Sequence, residues 1–213
     1  VLTWDSRGFG LSSNRNGVPS APAAASDLAA VLDQLGMDTA HFVGQSMGGW
    51  HTSAFAQLDP QRILSLVYAD TVGGLWTPAL QAAFATFMQA GGLAHRGPQP
   101  IGSHPALWAG TAERNPAHAY LYEALGSFHS PPMDKIGTTI EWSIGHEAIN
   151  ALEVPVLFIA GEHDSIFPPA LLAESCGLLA NGRYVEIADA GHSPYFEQPD
   201  IWNETVSTFL GQV

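Results

Sequence analysis

Gly44-Gln45-Ser46-Met47-Gly48 lies between a short apolar run, His41-Phe42-Val43, and a helix-like run that reaches Leu58. A G-x-S-x-G pattern at such a junction leaves the backbone few options. A strand has to turn sharply into a helix with the serine at the apex, and small residues two before and two after it let the two elements pass close together. The apex is strained. It also stands at a helix N-terminus, where the Met47 backbone N–H points at negative charge developing on a bound carbonyl oxygen. Ser46 is therefore a candidate nucleophile, and Met47 a candidate oxyanion donor through its backbone.

The elements around this turn alternate. Ala23–Leu35 reads as a helix, with Leu28, Val31, Leu32 and Leu35 at the spacing of a core-facing stripe and Gly36 at its end. His41–Gly44 reads as a strand, Met47–Leu58 as a helix, and Ile63–Ala69 as a strand with Asp70 at its carboxyl end. Later come a strand at Val154–Ala160, a helix at Pro169–Leu179, a strand at Arg183–Ile187 and a helix at Pro199–Leu210. This order predicts an α/β fold, a mostly parallel sheet flanked by helices on both faces. Residues 72–151 break the pattern: they are rich in Ala, Gly, Trp, Phe and Met, have helical stretches at Pro78–Ala90 and Pro116–Leu125, and show no convincing strand. They are predicted to form a helical lid inserted in a core of residues 1–71 and 152–213. Val1-Leu2-Thr3 opens in mid-element, as the last residues of a buried strand, so sequence upstream of Val1 is expected to be missing.

A serine hydroxyl is nearly inert at neutral pH, so it needs a base, and the base needs an orienting acid. Gly161-Glu162-His163-Asp164 follows one predicted strand and Asp189-Ala190-Gly191-His192-Ser193 follows the next. Both loops leave carboxyl ends of strands, where ligands bind in open α/β sheets. Asp164 is the candidate acid and His192 the candidate base. His163 reads as a solvated neighbour, and His51 as a packing residue that the helix turns away from Ser46.

Charge narrows the partners. Seven Lys+Arg against 20 Asp+Glu give a net charge of −13, which repels phosphate backbones and anionic lipid. Neither nucleic acid nor a membrane is expected as a partner, and no apolar run approaches the ~20 residues that span a bilayer. The lone Lys135 leaves little scope for Schiff-base chemistry, and the lone Cys176 excludes an intrachain disulfide and reads as a small buried side chain. His41, His95, His104, His118, His129 and His146 show no ligand spacing, so no metal and no cofactor are expected. The lone cysteine and the lack of a visible targeting segment point to a cytoplasmic setting.

Four stretches together carry a resemblance: Asp5-Ser6-Arg7-Gly8-Phe9-Gly10-Leu11-Ser12, Gly44 to Gly49, Gly161 to Asp164, and Gly191-His192-Ser193-Pro194 with Glu197 and Pro199 after it. Across nearly its whole length the chain resembles the α/β-hydrolase superfamily, in particular its lid-bearing esterase, lactonase and carbon–carbon-bond hydrolase branch. The resemblance implies an eight-stranded sheet with Val1–Thr3 as its fourth strand, so the first three strands would be absent from this chain. The loop after the third normally supplies the second oxyanion N–H, so no residue here is named for that role. It implies the chain order Ser46…Asp164…His192 for a catalytic triad. Asp70 is the rival acid, because relatives sometimes place it after that earlier strand; Asp164 has the fuller local motif. Asp5 and Arg7 belong to a structural turn, with Arg7 bracing the loop by charge-assisted bonds. Serine at position 46 argues against haloalkane dehalogenase and epoxide hydrolase chemistry, which use an aspartate there.

The expected activity is hydrolysis of a small carboxylic ester or lactone through an acyl-enzyme. Trp76, Phe84, Phe87, Met88, Trp108, Phe128, Met133 and Trp142 of the insert form its own core and in part roof the pocket. Gln45, Trp76, Phe87, Trp108 and Trp142 are the candidate substrate contacts, and their character favours an apolar or aromatic small molecule. Arg96 or Arg114 offers one carboxylate partner each. Two other readings stay open: carbon–carbon bond hydrolysis with the same triad, and a non-catalytic ligand-binding protein of the same fold. This chain, lacking part of its sheet, is also expected to be prone to inactivity.

Overall fold

A computed structural model describes residues 1–13, 19–90, 104–126 and 137–213. The readings placed on His95, Arg96, Phe128, His129, Met133 and Lys135 lie outside the described residues. The apolar runs form four strands, β1 (Ala40–Gln45), β2 (Ile63–Ala69), β3 (Val156–Gly161) and β4 (Gly182–Ile187), paired in that order and all parallel. β3 is buried at every position and β2 at all but Leu64, as central parallel strands are when both faces are covered. Alternation splits their side chains between two apolar clusters. Leu66, Tyr68, Val156, Phe158 and Ala160 meet α1 (Ala21–Gln34), α2 (Gly48–Leu58) and α8 (Pro169–Gly177) on one face. Val67, Ala69, Leu157 and Ile159 meet Val206 and Phe209 of α10 (Pro199–Leu210) on the other.

Local chemistry sets the helix ends. Ser20 caps α1 by accepting the Ala23 N–H, and Pro22 sits in its first turn. At the other end Gly36 takes φ +64°, with the Gly36 N–H bonded to Asp33 O and the Met37 N–H to Leu32 O, so the last carbonyls are satisfied. The predicted stripe on this helix needs correction. Leu32 is buried and Leu28 packs against the core as expected, but Leu35 is 54 % exposed, and further buried contacts are made by Ala21, Ala24 and Ala25. Small residues there let α1 lie close on α2.

Between β2 and β3 stand α3 (Pro78–Gln89), α4 (Ala109–Arg114), α5 (Pro116–Gly126), α6 (Gly137–Ile140) and α7 (His146–Asn150). Among the described residues this segment holds no strand, only a single bridge between Leu75 and Ile144. Thr77 caps α3 through the Leu80 N–H with Pro78 following it. The Trp50 indole of α2 donates to the Trp142 carbonyl at 3.0 Å, tying the segment's far end to the core. Among the described residues no helix is long and apolar enough to cross a membrane.

Val1–Thr3 do not form the expected strand. They are exposed and lie outside the sheet, which begins with β1. Three residues close too few ladder bonds to hold themselves in an extended pair. The chain reaches the core through Trp4, edge-on to His51, while Ser6 Oγ lies 3.3 Å from His51 Nδ1. Burial pulls the His51 imidazole down to about 4, so it packs as a neutral ring. The Asp5 carboxylate accepts the Leu11 N–H at 3.0 Å, and Arg7 holds Asp27 of α1 through both Nε, at 2.7 Å, and its terminal nitrogen.

Candidate active site

The loops that follow β1, β3 and β4 open at the same edge of the sheet, and each delivers one polar side chain. Ser46 sits at the junction of β1 and α2 with φ +50°, the left-handed backbone that this tight turn demands. Gly44 allows it: a Cβ there would lie 2.6 Å from the Gly48 carbonyl oxygen. The Ser46 N–H donates to Ala69 O at 2.9 Å, fixing the apex against β2. Met47 is the N-cap of α2, so its N–H belongs to the helix end that faces anions.

Ser46 Oγ lies 2.8 Å from His192 Nε2, and His192 Nδ1 lies 2.9 Å from Asp164 Oδ2. The other Asp164 oxygen accepts the N–H groups of Ile166 at 2.7 Å and Phe167 at 2.9 Å, so this carboxylate cannot swing. A carboxylate at Nδ1 keeps the imidazole proton there and leaves Nε2 as an acceptor toward the serine. Asp164 and His192 are buried, whereas Ser46 is only half-buried and open to a reactant. The loop behind them also depends on close backbone approach: a Cβ on Gly161 would collide with the Gly191 carbonyl.

Asp70 stands beside this pair without joining it. Its Oδ1 accepts the Gly161 N–H at 2.9 Å, and its fully buried Oδ2 has no hydrogen-bond partner among the described residues. Burial first, and the neighbouring Asp164 charge second, push its carboxyl well above the usual range. As pH rises past the ordinary carboxyl range, the unfolded chain releases this proton while the folded chain keeps it, so stability is lost upward toward the folded value. Asp70→Asn is therefore expected to raise Tm at pH 8 by a few degrees, about 2–4 °C per kcal/mol for a chain of this size, and to change it little at pH 4. Thermal melts at both pH values measure this; an equal shift at both would refute it.

The expected substrate contacts divide. Trp76 and Phe87 flank Phe84, which stacks on Phe167 at 5.2 Å; Phe167 in turn lies 6.0 Å from the His192 ring. Gln45 is differently employed: its amide donates to the His192 carbonyl at 2.8 Å, because the end of β1 runs alongside that loop. The Trp108 ring is also occupied, with His163 stacked on it at 4.8 Å and the Arg114 guanidinium 4.5 Å from its centroid. His163 is exposed, as expected, with one ring face on Trp108, and Arg114 pairs with Asp189 at 2.7 Å. Trp142 packs against the main apolar cluster. Sequence reading missed Phe167, whose only signal is its place three residues after Asp164, and Tyr122, whose hydroxyl lies 2.9 Å from Ser193 Oγ across 71 residues of chain.

Among the described residues, two sets of possible metal donors have their atoms within 4.8 Å of one another: Asp70, Asp164 and His192, and Glu162, His163 and Asp189. In the first, His192 Nδ1 is engaged by Asp164; in the second, Asp189 is engaged by Arg114. A cation at either would displace those bonds.

Residues 1–199 match the family model described as the alpha/beta hydrolase fold. RutD of Caulobacter segnis, to which a carbamate hydrolase activity is ascribed, is 30% identical, over 99% of this chain and 80% of its own. Among solved structures, a thermophilic esterase from Thermogutta terrifontis is 27% identical with a TM-score of 0.75, covering 98% of this chain and 78% of that one. The enol-lactonase of Burkholderia xenovorans LB400 is 27% identical with a TM-score of 0.73, covering 97% and 79%.

Proposed function

The chain belongs to the α/β-hydrolase fold family, and from that footing we propose that it cleaves a small carboxylic ester or lactone through an acyl-enzyme on Ser46. The observation that carries the reading is the unbroken line from Ser46 Oγ through His192 to Asp164, at 2.8 and 2.9 Å. His192 Nε2 takes the Ser46 proton as Oγ attacks the carbonyl carbon. The Met47 N–H stabilises the oxyanion, and Asp164 stabilises the imidazolium. His192 then protonates the departing alkoxide, which in a lactone stays tethered to the acyl group. Water activated by the same imidazole attacks the acyl-enzyme, and the acid leaves with Ser46 restored.

Residues 72–151 are read as a lid over this site, and the row Trp76, Phe84, Phe87 and Phe167 as an apolar wall for the acyl or alcohol group. An esterase and a lactonase among the similar structures support this substrate class. The test is a series of p-nitrophenyl esters and alkyl lactones, with fluorophosphonate labelling of the same preparation. Turnover of the short esters or lactones with labelling at Ser46 is expected. A folded protein that neither turns over nor labels removes the reading.

A further inference from the structure

The Glu197 carboxylate, on the short helix α9 (Pro194–Glu197), gathers three donors from two parts of the chain. Its Oε1 accepts the Trp108 N–H at 2.7 Å and the Thr111 hydroxyl at 2.5 Å, both at the start of α4. Its Oε2 accepts the Gly191 N–H at 2.7 Å, one residue before His192. The two segments touch directly there: a Cβ on Gly191 would lie 2.5 Å from the Trp108 backbone nitrogen. The same stretch grips its surroundings twice more, through Arg114 on Asp189 and through Trp108 stacked on His163, the neighbour of Asp164. Bonds to an ionised acceptor are the stronger kind, and here a single group holds both ends.

We infer that Glu197 is a positioning residue, which clasps the start of α4 to the His192 loop so that the seating of the 72–151 segment sets the Ser46–His192 alignment. This rests on the acyl-enzyme reading above. It gives Trp108 and Thr111 a part in holding the base rather than in touching substrate. Glutamine at 197 cannot do the same work. One amide oxygen can accept from the α4 end or from Gly191, and the amide NH2 would then face an N–H donor at the other.

In Glu197→Gln, kcat is expected to fall about 10- to 100-fold, the scale of a small misplacement of reacting groups. KM should stay within about threefold, and the rate of fluorophosphonate labelling at Ser46 should fall by the same factor as kcat. Both are read on protein shown by circular dichroism to be fully folded. Glu197→Asp keeps the charge but is one methylene shorter, and serves if the glutamine variant does not fold; the same split is expected. A folded variant with wild-type kcat and labelling rate overturns the proposal. So does one whose KM rises while kcat holds. Wild-type protein that Ser46 labelling does not touch fails at the earlier step and removes the acyl-enzyme reading along with this one.

Discussion

Ser46→Ala is expected to lower kcat toward the tested ester by about 10⁵- to 10⁶-fold, the scale seen when a serine nucleophile is removed from an intact triad. The substitution deletes one oxygen and little else. Serine and alanine both carry a Cβ, so each meets the same penalty for φ +50° at the apex. The Ser46 N–H bond to Ala69 O is a backbone bond and survives. His192 loses its partner at Nε2 but keeps Asp164 at Nδ1 and Gln45 on its carbonyl. Melting temperature should therefore move little while turnover collapses, leaving the residue contributed by substrate binding and the Met47 N–H. Steady-state assays on p-nitrophenyl esters, with fluorophosphonate labelling as a second readout, measure this. A folded Ser46→Ala protein within tenfold of wild type would show that the hydroxyl is not the nucleophile.

The parts of this fold legible in the sequence are those where burial acts on both faces of an element. Ile63–Ala69 and Val156–Gly161 read as strands because central positions of a covered parallel sheet admit only apolar side chains. The meeting of Ser46, Asp164 and His192 was legible for a related reason: each follows a strand, and parallel strands carry their following loops to one edge. What escaped depends on side-chain direction and on partners distant in the chain. Gln45 and Trp108 read as candidate substrate contacts by residue type alone, and the partners the fold gives them, the His192 carbonyl for one and His163 with Arg114 for the other, had no local signal. Helical periodicity placed Leu28 and Leu32 of α1 on the core but also Leu35, which is exposed, and it passed over the buried alanines where α2 lies close. Glu197 appeared in a family motif, but its three bonds join positions up to 89 residues apart, and no local pattern encodes them.

Asp164→Asn is expected to lower kcat/KM by about 10³- to 10⁴-fold, and Asp70→Asn by less than about tenfold. The asymmetry follows from which oxygens are committed. At position 164 the Ile166 and Phe167 N–H groups both require an acceptor, so an asparagine keeps its carbonyl oxygen there and turns its NH2 toward His192. That amide then donates to Nδ1, the imidazole proton moves to Nε2, and Ser46 faces a donor where it needs a base. Asp70 is close enough to be considered as a substitute, since its donor atoms lie within 4.8 Å of those of Asp164 and His192. Its Oδ1 is held by Gly161, however, and the larger cause that raises its carboxyl is burial, which loss of the Asp164 charge does not relieve. A carboxyl that resists ionisation and has one oxygen already committed is a poor substitute for Asp164 beside an imidazolium. The double variant Asp70→Asn/Asp164→Asn should therefore be no worse than Asp164→Asn by more than a few-fold, an interaction readable from a double-mutant cycle. If instead Asp164→Asn keeps activity within tenfold of wild type and the double variant loses it, the orienting acid is Asp70, and the strand whose end carries it is β2 rather than β3.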